Sequence, residues 1–204
     1  MSTRETPAAG KACGLRERKK AKTRLAIRRA AYRLFDEQGY EATTVDQIAE
    51  AAEVSPSTFF RYFPAKEDVI LSDEYDSALV DALAARPADE PVLLSLRHSM
   101  TDSLGLVLEA DREELFTRIR LSFTDPGIRA RAMDEQLRNQ EAVAAAIAER
   151  TGRDAAALDV RCAAAAIIAV SMTVMRHWVD GGGTEDLTAL YDRQLTTLFE
   201  GLRL

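Results

Sequence analysis

The 204-residue chain is poor in cysteine, histidine, glycine, proline and aromatic residues. Its two cysteines, Cys13 and Cys162, make no disulfide framework and have no metal-ligand spacing, so neither a metal nor a stapled fold is expected. Two histidines, no Gly-rich phosphate loop and no nucleophile beside a base signal argue against an enzyme, and no cofactor is expected. Ten Gly and six Pro are few for a sandwich or barrel of many turns, and β-branched and aromatic runs are sparse. The longest apolar run, Cys162 to Met175, is 14 residues between Arg161 and Arg176 and is interrupted by Ser171 and Thr173. A bilayer span needs roughly 18–20 residues. No apolar segment of the signal-peptide kind opens the sequence. The expectation is a soluble, cytoplasmic, all-α protein with no membrane partner.

What is present is alanine, charge and a hydrophobic fraction of 47%, enough for a buried core. The formal net charge of −6 hides an asymmetry. Residues 1–66 hold 13 Lys+Arg against 8 Asp+Glu, and residues 67–204 hold 14 against 25. Between Lys11 and Arg33 ten residues are basic and one, Glu17, is acidic. A basic head on an acidic body fits a polyanion-binding head, although a solvated basic helix face would have the same composition.

The chain divides into an expected mobile arm at 1–14, a head at 15–66 and a body at 67–204. In the head, Ile27, Ala30, Ala31, Leu34 and Phe35 recur at helical spacing, and Gly39 closes the helix. Thr44-Val45-Asp46-Gln47 has the form of a capping box before a helix of about two turns. Ser55-Pro56 starts a third helix that Pro64 stops, and Lys66-Glu67-Asp68 opens a fourth. In the body, Arg86 to Pro91 is a linker. Helices are expected from about Pro91 to Ala110, from Arg112 to Phe123, from Asp125-Pro126 to Thr151, from an Asp154 cap to Asp180, and from Thr184-Glu185-Asp186 onward. About nine helices and no strand are expected.

Two short helices behind a longer one form a helix-turn-helix in a three-helix bundle. On the third helix Phe59 and Phe63, at i and i+4, are the buried side. Pro56, Ser57, Phe60 and Arg61 are presented on the other. The Arg61 fork suits guanine O6 and N7; Ser57 and Thr58 suit bases or phosphates; Pro56 and Phe60 suit thymine methyls or sugars. Tyr62, Thr44 and Lys66 suit phosphate oxygens. Lys19, Lys20, Lys22, Arg24 and Arg28 add charge collectively.

The run from Thr44 to Ala52, then Val54-Ser55-Pro56-Ser57-Thr58-Phe59-Phe60-Arg61-Tyr62-Phe63-Pro64-Ala65-Lys66-Glu67, resembles the signature of the TetR (tetracycline-repressor) family across roughly Arg24 to Leu71. That resemblance implies a homodimeric transcriptional regulator, commonly a repressor, on a palindromic double-stranded operator, with the remaining helices as a ligand-binding and dimerisation body. Two positions depart from the family pattern: Glu53 stands where many members have Gly, and Phe60 where many have Tyr.

In the body, Met100, Leu104, Leu108, Phe116, Phe123, Met133 and Leu137, with Arg120 and Gln140 as polar fixers, are the candidate lining of a small-molecule effector pocket. Plain core has the same pattern. Thr124 to Ala132, Ala148 to Gly152 and His177-Trp178 resemble the C-terminal domain of a TetR subgroup described as binding acyl-CoA-like effectors, including mycofactocin-locus regulators. This implies a long apolar pocket with basic groups, such as Arg118, Arg120 or Arg131, near its mouth. Stripes on the last two helices, Ile167, Val174 and Trp178 with Leu187, Tyr191, Leu195 and Leu198, are the candidate dimer seam. A DNA-binding regulator without an effector and, less well supported, an all-α enzyme are the alternatives.

Overall fold

The computed structural model describes residues 9–71 and 82–201, with side chains from Arg18 onward in the first helix. Among them the fold is all-α, with no strand. The chain divides into two compact units, Met1–Val69 and Ile70–Leu204.

The first unit holds α1 (Ala9–Gln38), α2 (Val45–Ala51), α3 (Pro56–Tyr62) and the start of α4 (Asp68–Leu71). Part of the expected arm is helix: residues 9–14 belong to α1, while 1–8 lie outside the described residues. Lys, Arg, Ala, Leu and Glu dominate Lys11 to Lys22 and favour helix by propensity alone. The missing apolar period only means that no face of this stretch seeks a core. Packing begins at Ile27, which is fully buried with Ala31, Phe35, Ile48, Ala49, Phe59 and Phe63. Local chemistry fixes the short helices. The Thr44 hydroxyl accepts from the Gln47 amide at 3.2 Å, and the Gln47 side chain accepts from the Thr44 amide at 2.9 Å, completing the capping box. The Ser55 hydroxyl accepts from the Thr58 amide at 3.1 Å, with Pro56 at the first helical position. Between them Glu53 has φ +55°, the left-handed conformation that glycine adopts without penalty.

The second unit continues with residues 82–84, also helical, then α5 (Val92–Thr124), α6 (Pro126–Thr151), α7 (Leu158–Asp180) and α8 (Leu187–Phe199). The expected break near residue 111 is real: α5 is interrupted at Asp111, whose backbone is extended at φ −164° and ψ 91°. Asp125 caps α6 through its carboxylate, which accepts from the amides of Gly127 and Ile128. Asp186 caps α8 by accepting from the Ala189 amide. Asp154 does not cap α7. Its carboxylate accepts from Ala156 inside a turn, and α7 begins at Leu158 with no side-chain cap. The α7–α8 turn is latched by Trp178, whose indole N–H donates to the Glu185 carbonyl, and by Arg112, whose Nη2 donates to the Gly183 and Glu185 carbonyls. Helix α7 is long and apolar enough to cross a bilayer by length and composition. Its Val160, Ala164, Ile167, Val174 and Trp178 are instead buried in the body's core.

Candidate functional site

The α3 surface is split as its spacing requires. Phe59 and Phe63 are fully buried, their ring centroids 5.8 Å apart. Pro56, Ser57, Phe60 and Arg61 are exposed on the opposite side. Phe60 is 51% exposed and meets Phe59 edge-to-face at 5.5 Å, so half of an apolar ring faces solvent. The Arg61 guanidinium stands 5.4 Å from the centroid of the half-buried Tyr62 ring. Ser57 and Thr58 each place a hydroxyl 2.9 Å from that of Ser55, and Thr44 is exposed at the start of α2. The polar and apolar groups of one short helix face are therefore open to a partner and oriented by a buried aromatic pair.

Lys66 is placed differently from its sequence reading. Its ammonium donates to the carbonyls of Tyr40 at 2.8 Å and Thr43 at 3.0 Å, and stands 3.9 Å from the Tyr40 ring centroid. Two of its three N–H groups are directed at backbone, so its geometry is that of a clamp on the α1–α2 turn. Arg24 is stacked at 4.8 Å from the Phe63 ring centroid, which ties the basic face of α1 to the end of α3.

The second unit contains a cavity of about 450 Å³. Its walls come from Ile70 and Leu71 of α4, Leu83, Leu96, Met100, Ile119 and Phe123 of the segment ending with α5, Ala142, Val143 and Ala146 of α6, Ile168, Ser171, Met172 and Met175 of α7, and Tyr191 of α8. Arg118, Ser122, Glu135, Gln136, Arg138 and Asn139 supply its polar groups on α5 and α6, and Glu135 pairs with Arg138. The volume lies within the ~300–1,000 Å³ in which small-ligand sites fall, and mostly apolar walls with a few polar groups are their usual build.

A model for bacterial regulatory proteins of the tetR family matches residues 27–72, and one described as the MftR C-terminal domain matches residues 90–203. The chain belongs to the TetR family. It is 39% identical over 200 residues to the HTH-type transcriptional regulator TcmR of Streptomyces glaucescens, covering 93% of this chain and 85% of that one. Among solved structures, the fatty acid degradation regulator FadR of Bacillus halodurans superposes with a TM-score of 0.65 at 24% identity, covering 89% and 96% of the two chains. FadR of Thermus thermophilus, a TetR-family transcriptional repressor crystallised with lauroyl-CoA, gives 0.60 at 26% identity, covering 89% and 95%.

In this TetR-family body the cavity is not where the sequence pattern put it. Of the nine residues expected, Met100 and Phe123 line it. Leu104 and Leu108 are packed in core, and Phe116 lies edge-on to Trp178 at 5.5 Å. Arg120 does not border the cavity. Met133 and Leu137 are 64% and 59% exposed. Leu137 and Gln140 border a different pocket of about 610 Å³, lined by α6 and the start of α7. Helical spacing finds a buried face but not which buried residues border a void. Of the lining that was missed, Tyr191 lies on a stripe assigned to the dimer, and Ile168, Ser171, Met172 and Met175 lie on α7 beside the residues assigned to it there.

The stripes expected at the dimer seam lie within the single chain. Ile167, Val174, Trp178, Leu187, Tyr191 and Leu195 are at most 4% exposed within a single chain, and Leu198 is partly buried against the same core. A side chain already enclosed by its own chain offers nothing to a partner. The outward faces of α7 and α8 carry Cys162, Ala169, Thr173, Arg193 and Gln194 instead.

Proposed function

We propose that this chain is a ligand-responsive transcriptional repressor that binds a palindromic operator as a homodimer in the cytoplasm. The observation that carries the reading is the exposed row Pro56, Ser57, Phe60 and Arg61, held outward by the buried Phe59 and Phe63. This is the disposition of a recognition helix reading base edges in a major groove. Arg61 provides the bidentate donor for guanine, and Phe60 and Pro56 the apolar contacts. Thr44 and Tyr62 hold phosphates, and the exposed Lys19, Lys20 and Lys22 of α1 add counterion release. Two heads on one face of a duplex require a two-fold dimer, and we assign its seam to the outward faces of α7 and α8, around Ala169 and Thr173.

The effector reading rests on the cavity and on α4. Asp68 and Val69 of that helix belong to the first unit, and Ile70 and Leu71, which line the cavity, belong to the second. A molecule that fills the cavity in one arrangement of α4 and not in another shifts the balance between them. A coupling of ~1–3 kcal/mol changes operator affinity about 5–150-fold. The lauroyl-CoA held by the T. thermophilus FadR supports a largely apolar effector class.

The test is fluorescence anisotropy on fragments selected from genomic DNA by the protein itself. Salt-sensitive binding to a palindrome is expected, with Arg61→Ala weakening it about tenfold or more and relaxing preference at one base pair of each half-site. Binding that is insensitive to salt and to Arg61→Ala refutes the DNA-reading face. Binding that no small molecule alters leaves a regulator without an effector.

A further inference from the structure

The capping box that starts α2 asks for less than Gln47 supplies. Reaching back to the Thr44 amide takes one acceptor oxygen, which a glutamate provides as well as a glutamine. Glutamine brings in addition an amide nitrogen with two N–H donors. The structure fixes which way that amide is turned. Gln47 Oε1 lies 2.9 Å from the Thr44 backbone nitrogen, a group that can only donate, so the oxygen and not the nitrogen of the side chain belongs there. Gln38, the last residue of α1, donates through Nε2 to the same oxygen at 3.1 Å and to Thr43 Oγ1 at 3.1 Å. The Thr44 hydroxyl also donates to Gln47 Oε1, at 3.2 Å. With Oε1 held on the donors, Nε2 is turned away from them. Gln47 is exposed, and among the described residues no acceptor is bonded to its Nε2.

The rest of α2 shows what these two donors can meet. The helix reads Val45-Asp46-Gln47-Ile48-Ala49-Glu50-Ala51. Ile48 and Ala49 are buried, and Asp46 and Glu50 are exposed acids. No other side chain on α2 has an N–H or O–H to give at pH 7. In a helix-turn-helix the second helix enters the major groove while the first crosses the sugar-phosphate backbone. Phosphate oxygens only accept, and they repel carboxylates. A first helix with two exposed acids and no cation can therefore hold a phosphate through one side chain, the oriented amide.

Taking α3 as the DNA-reading helix, as proposed above, we propose that Gln47 donates through Nε2 to one backbone phosphate in each half-site. The contact fixes register rather than sequence. Because the amide is neutral, it adds affinity without displacing a counterion.

The experiment uses the full chain and the palindrome that it selects from genomic DNA, followed by fluorescence anisotropy. Gln47→Met removes both donors, adds no charge and nearly keeps the length of the side chain. Operator affinity is expected to fall about tenfold or more, the effect of losing a hydrogen bond to a charged group, with the slope of log affinity against log salt unchanged. Single methylphosphonates placed in turn along a half-site locate the contact. At one phosphate the neutral linkage weakens the unaltered protein about tenfold and Gln47→Met by less than about twofold, a non-additivity that a capping role alone does not produce. Losses that add at every phosphate overturn the proposal. If circular dichroism shows Gln47→Met unfolded, Gln47→Glu takes its place, since it keeps the cap and exchanges the donors for a charge. One methylphosphonate then weakens the unaltered protein and strengthens the variant; no such reversal at any phosphate overturns the contact. If the unaltered protein binds the palindrome with sensitivity to salt and to Arg61→Ala, and Gln47→Met matches it within about twofold, the Gln47 contact falls and the DNA-reading face stands. If the unaltered protein selects no DNA, both fall.

Discussion

Replacing Lys66 by methionine separates two roles that one ammonium group can have. Methionine keeps most of the stem and removes the charge. What is lost is a bond of 2.8 Å to the Tyr40 carbonyl, one of 3.0 Å to the Thr43 carbonyl and the stacking 3.9 Å from the Tyr40 ring centroid. Hydrogen bonds to a charged group are worth roughly 1.5–3 kcal/mol each, and a partly exposed cation–π contact ~0.5–1. Lys66 is only partly buried, so solvent takes back a share, and about 2–4 kcal/mol is expected for the substitution. In a unit of this size each kcal/mol moves the midpoint by ~4–8 °C, so calorimetry of the full chain should show the first unit melting about 10–25 °C lower. The slope of log affinity against log salt, measured on the intact fold well below that midpoint, should stay unchanged. Arg61→Ala is the mirror image. Its side chain is exposed, so stability should hold within about 0.5 kcal/mol, while operator affinity falls about tenfold or more and preference relaxes at one base pair of each half-site. A Lys66→Met protein that melts within about 2 °C of the original and loses one phosphate from its slope refutes the clamp.

Glu53→Gly should stabilise the first unit by about 0.5–1 kcal/mol in urea titrations, because φ +55° costs a side-chain-bearing residue ~1–2 kcal/mol and glycine returns part of that as entropy; no gain would show the turn to be unstrained. Gly182→Ala and Gly183→Ala form a controlled pair. Both sites have positive φ, +71° and +68°, but a Cβ at 182 meets nothing within 4 Å whereas one at 183 falls 2.5 Å from the Phe116 ring. The second should therefore cost about 1–3 kcal/mol more than the first, and equal losses would mean that Phe116 moves aside freely. Glu90 is held down from its ordinary 4.5 to about 2, chiefly by its hydrogen bonds from Arg86 and then from Ser95. A lowered carboxylate stabilises fully above about pH 4.5, and that stabilisation is lost as pH falls through about 2. Glu90→Gln should be less stable at pH 7 and show a shallower decline in urea midpoint toward pH 3; an unchanged decline counts against the pair.

What could be read from the sequence was what needs only near neighbours. Thr44 with Gln47, Ser55 with Thr58 and Asp125 with Gly127 satisfy helix ends within three residues and form as expected, and Asp186 caps the helix whose start was expected at 184–186; Asp154, read by the same rule, closes a turn instead. The exposed face of α3 follows from Phe59 and Phe63 alone, since fixing one side of a seven-residue helix fixes the other. The cavity was hidden because a void belongs to the crossing of α5, α6, α7 and α8, and periodicity describes one helix at a time. The stripes expected at a dimer seam are enclosed within the single chain for a related reason. Helices α7 and α8 each have one strongly apolar face, and a chain of this size buries that face within itself before it offers anything to a second copy.

The polar residues show the same distinction from the other side. Lys66, Arg112 and Arg150 look from composition like groups looking for an anion. In the fold they hold carbonyls: Arg150 donates to those of Leu83 at 3.1 Å and Pro87 at 2.5 Å, as Arg112 does to those of Gly183 and Glu185 and Lys66 to those of Tyr40 and Thr43. Each reaches a segment distant in sequence and donates to carbonyls there. Ser171 and Tyr191 are the reverse case, two hydroxyls on apolar stripes with nothing in their spacing to mark them, yet bonded to each other on the wall of the cavity. Charge in the sequence therefore locates possible partners only after the backbone's own demands are met. Among the groups named here, that accounting leaves the outward side of α3 open to a partner.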